Sequence, residues 1–235
     1  MQITMIGHSS VLIETNELKI LTDPFFGTRG NVTYQRIDRP SRTRQGLRDV
    51  NLVLLSHNHW DHTDISYFRS LPNTTPIIAP WLTSRETRLL GAHQVAGLKP
   101  WESRSYGEFT VTAVPAIHIT IANGYVIQSE GKCIYFAGDT EHGVFMQEIA
   151  QRFNLDVALM PVTTFPIPMT MGEDGAVRAV KDLAPRVIIP IHLGIQPRLP
   201  FLRSRQSVEG FERKLRAAGL KSKVVVLKAG EVMLV

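Results

Sequence analysis

The run His57-Asn58-His59-Trp60-Asp61-His62, directly after Asn51-Leu52-Val53-Leu54-Leu55-Ser56, constrains this chain more than any other stretch. An apolar run of that length reads as a strand buried on both faces. Residues just past the carboxyl end of such a strand begin a loop, where open α/β architectures gather their ligand sites. His57 and His59 are two apart, so on a helix they would not face each other. At a strand exit both can point the same way. Asp61 and His62 are adjacent and diverge toward a second position. Two pairs of ligands from one loop therefore imply two metals side by side.

Imidazole and carboxylate suit zinc, iron or manganese. The two-histidine helical motif of zinc proteases is absent. So is a cysteine-based structural zinc pattern, which favours an open catalytic site over a closed structural one. Three more strand candidates end in the same kind of residue: His118 closes "FTVTAVPAI", Asp139 follows "CIYFAG", and His192 follows "VIIPI". A lone histidine at a strand end is usually structural. Several such ends, one of them carrying the six-residue cluster, point to one shared site.

The order of elements fits that reading. "QITMI", "SVLIE" and "LKILTD" are short β-rich runs separated by turn residues. "TDISYFRSL", "LTSRETRLLGA", "HGVFMQEIAQRF", "GEDGAVRAVKDLA" and "SVEGFERKLRAAG" read as helices, the last with Ser207 as N-cap. "SKVVVLKAGEVMLV" reads as a closing β-hairpin. This mixed α/β order fits two sheets back to back with helices outside. With 235 residues and 43% hydrophobic content, one domain over 1–235 is expected. No apolar run approaches the roughly 20 residues of a bilayer span, and the N-terminus lacks the features of a signal peptide. The single cysteine, Cys133, excludes an internal disulfide and sits in an apolar run as an inert thiol. A cytoplasmic location is the expectation.

Lys plus Arg exceed Asp plus Glu, 26 against 21. The excess concentrates in "GTRGNVTYQRIDRPSRTRQGLRD" and in "QPRLPFLRSR", which carries Arg198, Arg203 and Arg205. Either stretch could draw an anionic substrate or form a solvated loop of locally paired arginines. No RNA-binding signature, repeat or low-complexity tract is present.

The H-x-H-x-D-H pattern of "HNHWDH" resembles the signature of the metallo-β-lactamase-fold superfamily, and its other motifs follow in order through Asp23, His118, Asp139 and His192. The stretches "GHSSVLIE", "LKILTDPFF" and "RDVNLVLLSHNHWDHTD" are similar to the branch that holds N-acyl-phosphatidylethanolamine phospholipase D and the ascorbate-6-phosphate lactonases. The resemblance implies a four-layer αββα sandwich with metals at one edge. His57, His59 and His118 would hold the first metal, Asp61, His62 and His192 the second, and Asp139 would bridge them. Asp23 matches an aspartate that is usually structural.

On that resemblance the cofactor is two divalent ions, with zinc first and manganese or iron open. The activity is hydrolysis of a phosphodiester or lactone of an anionic small molecule by a metal-held hydroxide. Asp61 would also orient the hydroxide, and His142 would protonate the leaving group. His8 would contact substrate or orient a ligand through a hydrogen bond, and Arg36, Thr163 and Thr164 would contact substrate, with Arg39 and Arg42 adding positive charge beside Arg36. A single-iron oxygenase using His57, His118 and Asp139, a nuclease, and a metal-loaded binding protein are the alternatives. Nucleic acid is not the expected partner, and a homo-oligomer is left open.

Overall fold

The computed structural model describes residues 1–166 and 168–235. In chain order the strands of the first half are β1 (Gln2–Gly7), β2 (Ser10–Glu14), β3 (Lys19–Thr22), β4 (Tyr34–Arg36), β5 (Leu52–Leu54), β6 (Pro76–Pro80) and β7 (Gln94–Leu98), with α1 (Ile65–Phe68) and α2 (Ser84–Leu89) between the later ones. Next come β8 (Ser103–Tyr106), β9 (Phe109–Pro115), β10 (Asn123–Ser129), β11 (Lys132–Phe136), α3 (Phe145–Arg152), β12 (Val157–Pro161), α4 (Glu173–Leu183), β13 (Val187–Ile191), β14 (Ile195–Pro197), α5 (Val208–Ala217), β15 (Lys223–Val224) and β16 (Val232–Leu234).

The strands form two seven-stranded sheets, ordered β16-β1-β2-β3-β5-β6-β7 and β15-β13-β12-β11-β10-β9-β8, plus a ribbon of β4 and β14. Each sheet has an antiparallel meander that turns parallel as helical crossovers begin, at β3–β5 in one and β11–β12 in the other.

Side-chain alternation explains the layering. In β5, Leu52 and Leu54 face the opposite sheet, while Val53 packs outward with Tyr67 and Phe68 of α1. In β12, Val157 and Leu159 join the core between the sheets, and Ala158 and Met160 face α3, α4 and α5. A strand apolar on both faces has to be covered on both, and the result is the αββα sandwich. Cys133 is buried, and burial pushes its thiol up to about 12. Among the described residues no helix is long and apolar enough to cross a membrane.

One element departs from expectation. The C-terminal segment is not a hairpin. Lys223 and Val224 extend the second sheet, parallel to β13, and Val232–Leu234 crosses to pair antiparallel with β1 in the first. A hairpin could have covered at most one of those two sheet edges. The split also ties the two sheets together.

Candidate metal centre

Every residue of the predicted ligand set follows the carboxyl end of a strand on one edge of the sandwich. His57, His59, Asp61 and His62 follow β5, His118 follows β9, Asp139 follows β11, and His192 follows β13. His8 follows β1, and Asp23 follows β3 directly. Three of these positions, His8 (φ 57°), Asp23 (φ 33°) and His192 (φ 63°), hold left-handed backbone without being glycine. Such conformations cost about 1–3 kcal/mol each and concentrate at functional sites. Gly138, also left-handed at φ 57°, is required as glycine because a Cβ there would overlap Ser56.

The donors fall into two main groups of four, each with one ligand atom per residue within 4.8 Å of the others: His57, His59, His118 and Asp139, and His8, Asp61, His62 and His192; Asp23, His57 and His62 form a smaller third. Asp139 links the two main groups. Its Oδ2 lies 3.2 Å from His192 Nε2, 3.9 Å from His57 Nε2 and 4.0 Å from His118 Nε2, and its Oδ1 is 3.4 Å from His62 Nε2. Burial alone would raise its carboxyl, but His192 and His62 hold it well below the usual carboxylate range.

These donors fit cations. His57 Nε2 and His59 Nδ1 converge at 2.9 Å, and His118 Nε2 lies 3.2 Å from the same His59 nitrogen. Among the described residues the buried His62 Nε2 and Asp139 Oδ1 have no hydrogen-bond partner. Ring nitrogens and carboxylate oxygens gathered this way make a candidate metal-ligand set.

Asp23 sets the tautomers. His62 Nδ1 lies 2.6 Å from Asp23 Oδ2, so its proton goes there and Nε2 is left as the ligand atom. Ser56 Oγ donates to the same carboxylate oxygen at 2.6 Å. It must therefore accept from His57 Nδ1, 2.9 Å away, which frees His57 Nε2. The Ser56 backbone N–H donates to Asp23 Oδ1 at 2.7 Å. One buried carboxylate thus orients a histidine in each group, the outer support typical of metal-ligating imidazoles.

His8 is drawn into the second group, and its hydrogen bonds define its role. The Gly194 N–H donates to His8 Nδ1 at 3.1 Å. Burial, then His192, pushes His8 down to about 4, so at neutral pH it carries one proton, on Nε2. That nitrogen faces Asp61 Oδ2 at 3.3 Å. Among the described residues His8 Nε2 is, like His62 Nε2, a buried nitrogen without a hydrogen-bond partner, so His8 stands beside Asp61 with this position open.

Two other expectations need correction. Arg36 is not at the substrate face. Its side chain is buried: Nε donates to Asp38 at 2.6 Å, Nη1 to the Phe25 and Gly27 carbonyls, and the guanidinium lies over the Phe25 ring. It braces the loop after β3. Arg36→Ala should lower unfolding stability by about 1–3 kcal/mol, because buried acceptors are left unpaired; denaturant melts read this directly. His142 is not at the centre either. Its Nε2 lies 2.7 Å from Asp182 Oδ2 on α4. Arg39 and Arg42 are exposed, and neither lines the cavities described next.

A cavity of about 150 Å³ opens onto the centre. His59, Asp61, Asp139 and His192 line it on one side, and Tyr34, Trp60, Phe165, Met169 and Ile195 on the other. Tyr34 stacks at a tilt with Phe165 (5.7 Å) and Trp60 (6.3 Å). Thr163 and Thr164 line a second cavity, about 190 Å³, which shares Phe165, His192 and Ile195 with the first. Tyr34 had no signal in the sequence. It reaches the site because β4 pairs with β14, placing Tyr34 opposite Pro197 and Arg36 opposite Ile195.

Paired sheets with a histidine–aspartate centre at one edge define the metallo-β-lactamase fold class. Residues 2–192 match the family described as beta-lactamase superfamily domain. A UPF0173 metal-dependent hydrolase of Archaeoglobus fulgidus is 29% identical, over 98% of this chain and 97% of its own length. Another, of Pyrococcus abyssi, is 31% identical, over 98% of this chain and 97% of its own. Two solved structures share the fold. Igni18, a metallo hydrolase of Ignicoccus hospitalis, has a TM-score of 0.80 at 24% identity, covering 99% of this chain and 97% of that one. An isothiocyanate hydrolase from Delia radicum gut bacteria has a TM-score of 0.81 at 19% identity, covering 100% and 99%. The chain belongs to the beta-lactamase superfamily domain family and, within it, to the UPF0173 metal-dependent hydrolases.

Proposed function

We propose that this chain hydrolyses a phosphodiester or lactone of an anionic small molecule with two divalent cations, zinc by preference. His57, His59 and His118 would hold one, Asp61, His62 and His192 the other, and Asp139 both. The observation that carries this reading is the pair of four-donor groups linked through one buried carboxylate. Cations bound there supply Lewis-acid polarisation of the scissile group and a water acidified toward neutrality.

The chain's own residues supply the rest. Asp61, with His8 Nε2 3.3 Å from its Oδ2, would present its carboxylate to the nucleophilic water. Tyr34, Trp60 and Phe165 exclude bulk water from the mouth and pack the apolar part of the substrate. With His142 committed to Asp182, the leaving-group proton is assigned to Tyr34. Partial burial and the charge of Asp61 raise its phenol above the ordinary value, so it stays protonated at neutral pH. A positioned general acid contributes about 10²–10⁴-fold. Tyr34→Phe should therefore lower kcat by about that factor on alkyl leaving groups and far less on p-nitrophenolate, which needs no proton. An equal loss on both would remove Tyr34 from the role.

The reading is tested by turnover of bis(p-nitrophenyl) phosphate and a lactone panel on metal-loaded protein. Phosphodiester turnover supports the phosphodiesterase form, and lactone turnover alone the lactonase form. A single bound iron with oxygen uptake on thiols and no hydrolysis would replace it with the oxygenase.

A further inference from the structure

The second cavity touches the metal centre without belonging to it. His192, Phe165 and Ile195 are shared, so a molecule bound at the metals has the second cavity as its next open space. Its remaining polar wall is Thr163, Thr164, Gln196, Ser204, Gln206 and Ser207, all neutral, together with one cation, Arg203.

Arg203 is held in place but not neutralised. Its Nε donates to the Pro197 carbonyl at 3.1 Å, at the end of β14. Among the described residues its two terminal nitrogens have no hydrogen-bond partner, and no carboxylate lies within 4 Å. Two arginines of the first basic stretch are engaged elsewhere: Arg36 with Asp38 and two carbonyls, its Nη2 buried away from the cavity lining, and Arg44 with Asp64. The nearby Glu173 is engaged as well, accepting from the Ser207 N–H and pairing with Lys214 at 3.1 Å. Neutral hydroxyls and amides around one half-buried guanidinium with both outer nitrogens open make a receptor for an anion. The planar fork matches a carboxylate or phosphate oxygen pair.

Resting on the hydrolase reading above, we propose that the second cavity is a specificity subsite in which Arg203 binds an anionic group of the substrate remote from the scissile bond. The substrate class is then bifunctional: a cleavable ester, lactone or phosphodiester at the metals, and a carboxylate or phosphate one cavity away. The anion is recognised from the second basic stretch of the chain, not from the arginine-rich loop that holds Arg36, Arg39 and Arg42.

The test is calorimetric binding of glutarate and butyrate to metal-loaded protein. Both offer a carboxylate to the metals, and only glutarate has a second for Arg203. Hydrogen bonds to charged groups predict a preference for glutarate of about tenfold or more in the wild type. Arg203→Ala should abolish the preference, Arg203→Lys should restore part of it, and Arg203→Glu should reverse it, while butyrate affinity stays within about twofold. Equal preference in wild type and Arg203→Ala overturns the subsite, and so does the absence of any preference in the wild type. Loss of affinity for both acids in Arg203→Ala without rescue by Arg203→Lys marks Arg203 as structural and also overturns it. The measurement does not need turnover. Arg203-dependent glutarate binding by a protein that hydrolyses nothing would sink the hydrolase reading alone. Turnover of neutral lactones without an Arg203-dependent preference would sink the subsite alone.

Discussion

Asp139→Ala is expected to cost more activity than any other single substitution and to take bound metal with it. Asp139 reaches donors of both four-residue groups, with Oδ2 toward His192, His57 and His118 and Oδ1 toward His62. Losing a residue that merely supports a ligand costs about 10–100-fold in metal affinity or activity, and the loss here should exceed that range. The fold should survive, since Asp139 sits at the sheet edge and the cores beneath it are apolar. Asp139→Asn separates charge from shape: it keeps the volume and loses the negative charge that two cations require. Metal content by mass spectrometry and turnover, read together with a circular dichroism melt, check this. Full turnover with full metal content in either variant would be incompatible with a shared site.

Asp23→Asn is expected to weaken metal binding about 10–100-fold although Asp23 ligates nothing in either main group. An asparagine cannot accept at both oxygens as Asp23 does from Ser56 and His62. Its NH2 group would face either the Ser56 backbone N–H, leaving buried donors unpaired, or the His62 Nδ1 and the Ser56 hydroxyl together, which would lose both tautomers. Ser56→Ala should release only the His57 arm and so give a smaller effect. Competition with a chromogenic chelator measures both. Equal affinity in wild type and Asp23→Asn would mean that the metals fix the tautomers unaided. Some stability should go as well, about 1–3 kcal/mol for a buried donor left unpaired.

The convergence of histidines and aspartates at one edge could be read from the sequence because much of its geometry is local. A buried strand fixes where the chain emerges, and the residues at that exit have little choice of direction. The same reasoning recovered the layers, since strands such as β5 and β12 are apolar on both faces and need cover on both. Features that depend on distant partners could not be read. Arginine density showed charge but not that the Arg36 guanidinium turns inward to two carbonyls. His142 stands close to Asp139 in sequence, yet the packing of α3 on α4 supplies Asp182 first. The apolar C-terminal runs fit a hairpin until two free sheet edges compete for them. Tyr34 and Ile195 line one cavity only because the β4–β14 ribbon joins two segments from opposite ends of the chain.

The most direct test of the central claim is metal stoichiometry. Metal-free protein would be saturated with zinc or manganese, passed through a desalting column and analysed by mass spectrometry for ions per chain, beside His59→Ala treated identically. About two ions in the wild type and about one in the variant is the predicted result, since His59 belongs to one donor group only. At most one ion in the wild type, or an unchanged count in His59→Ala, would contradict a dinuclear centre.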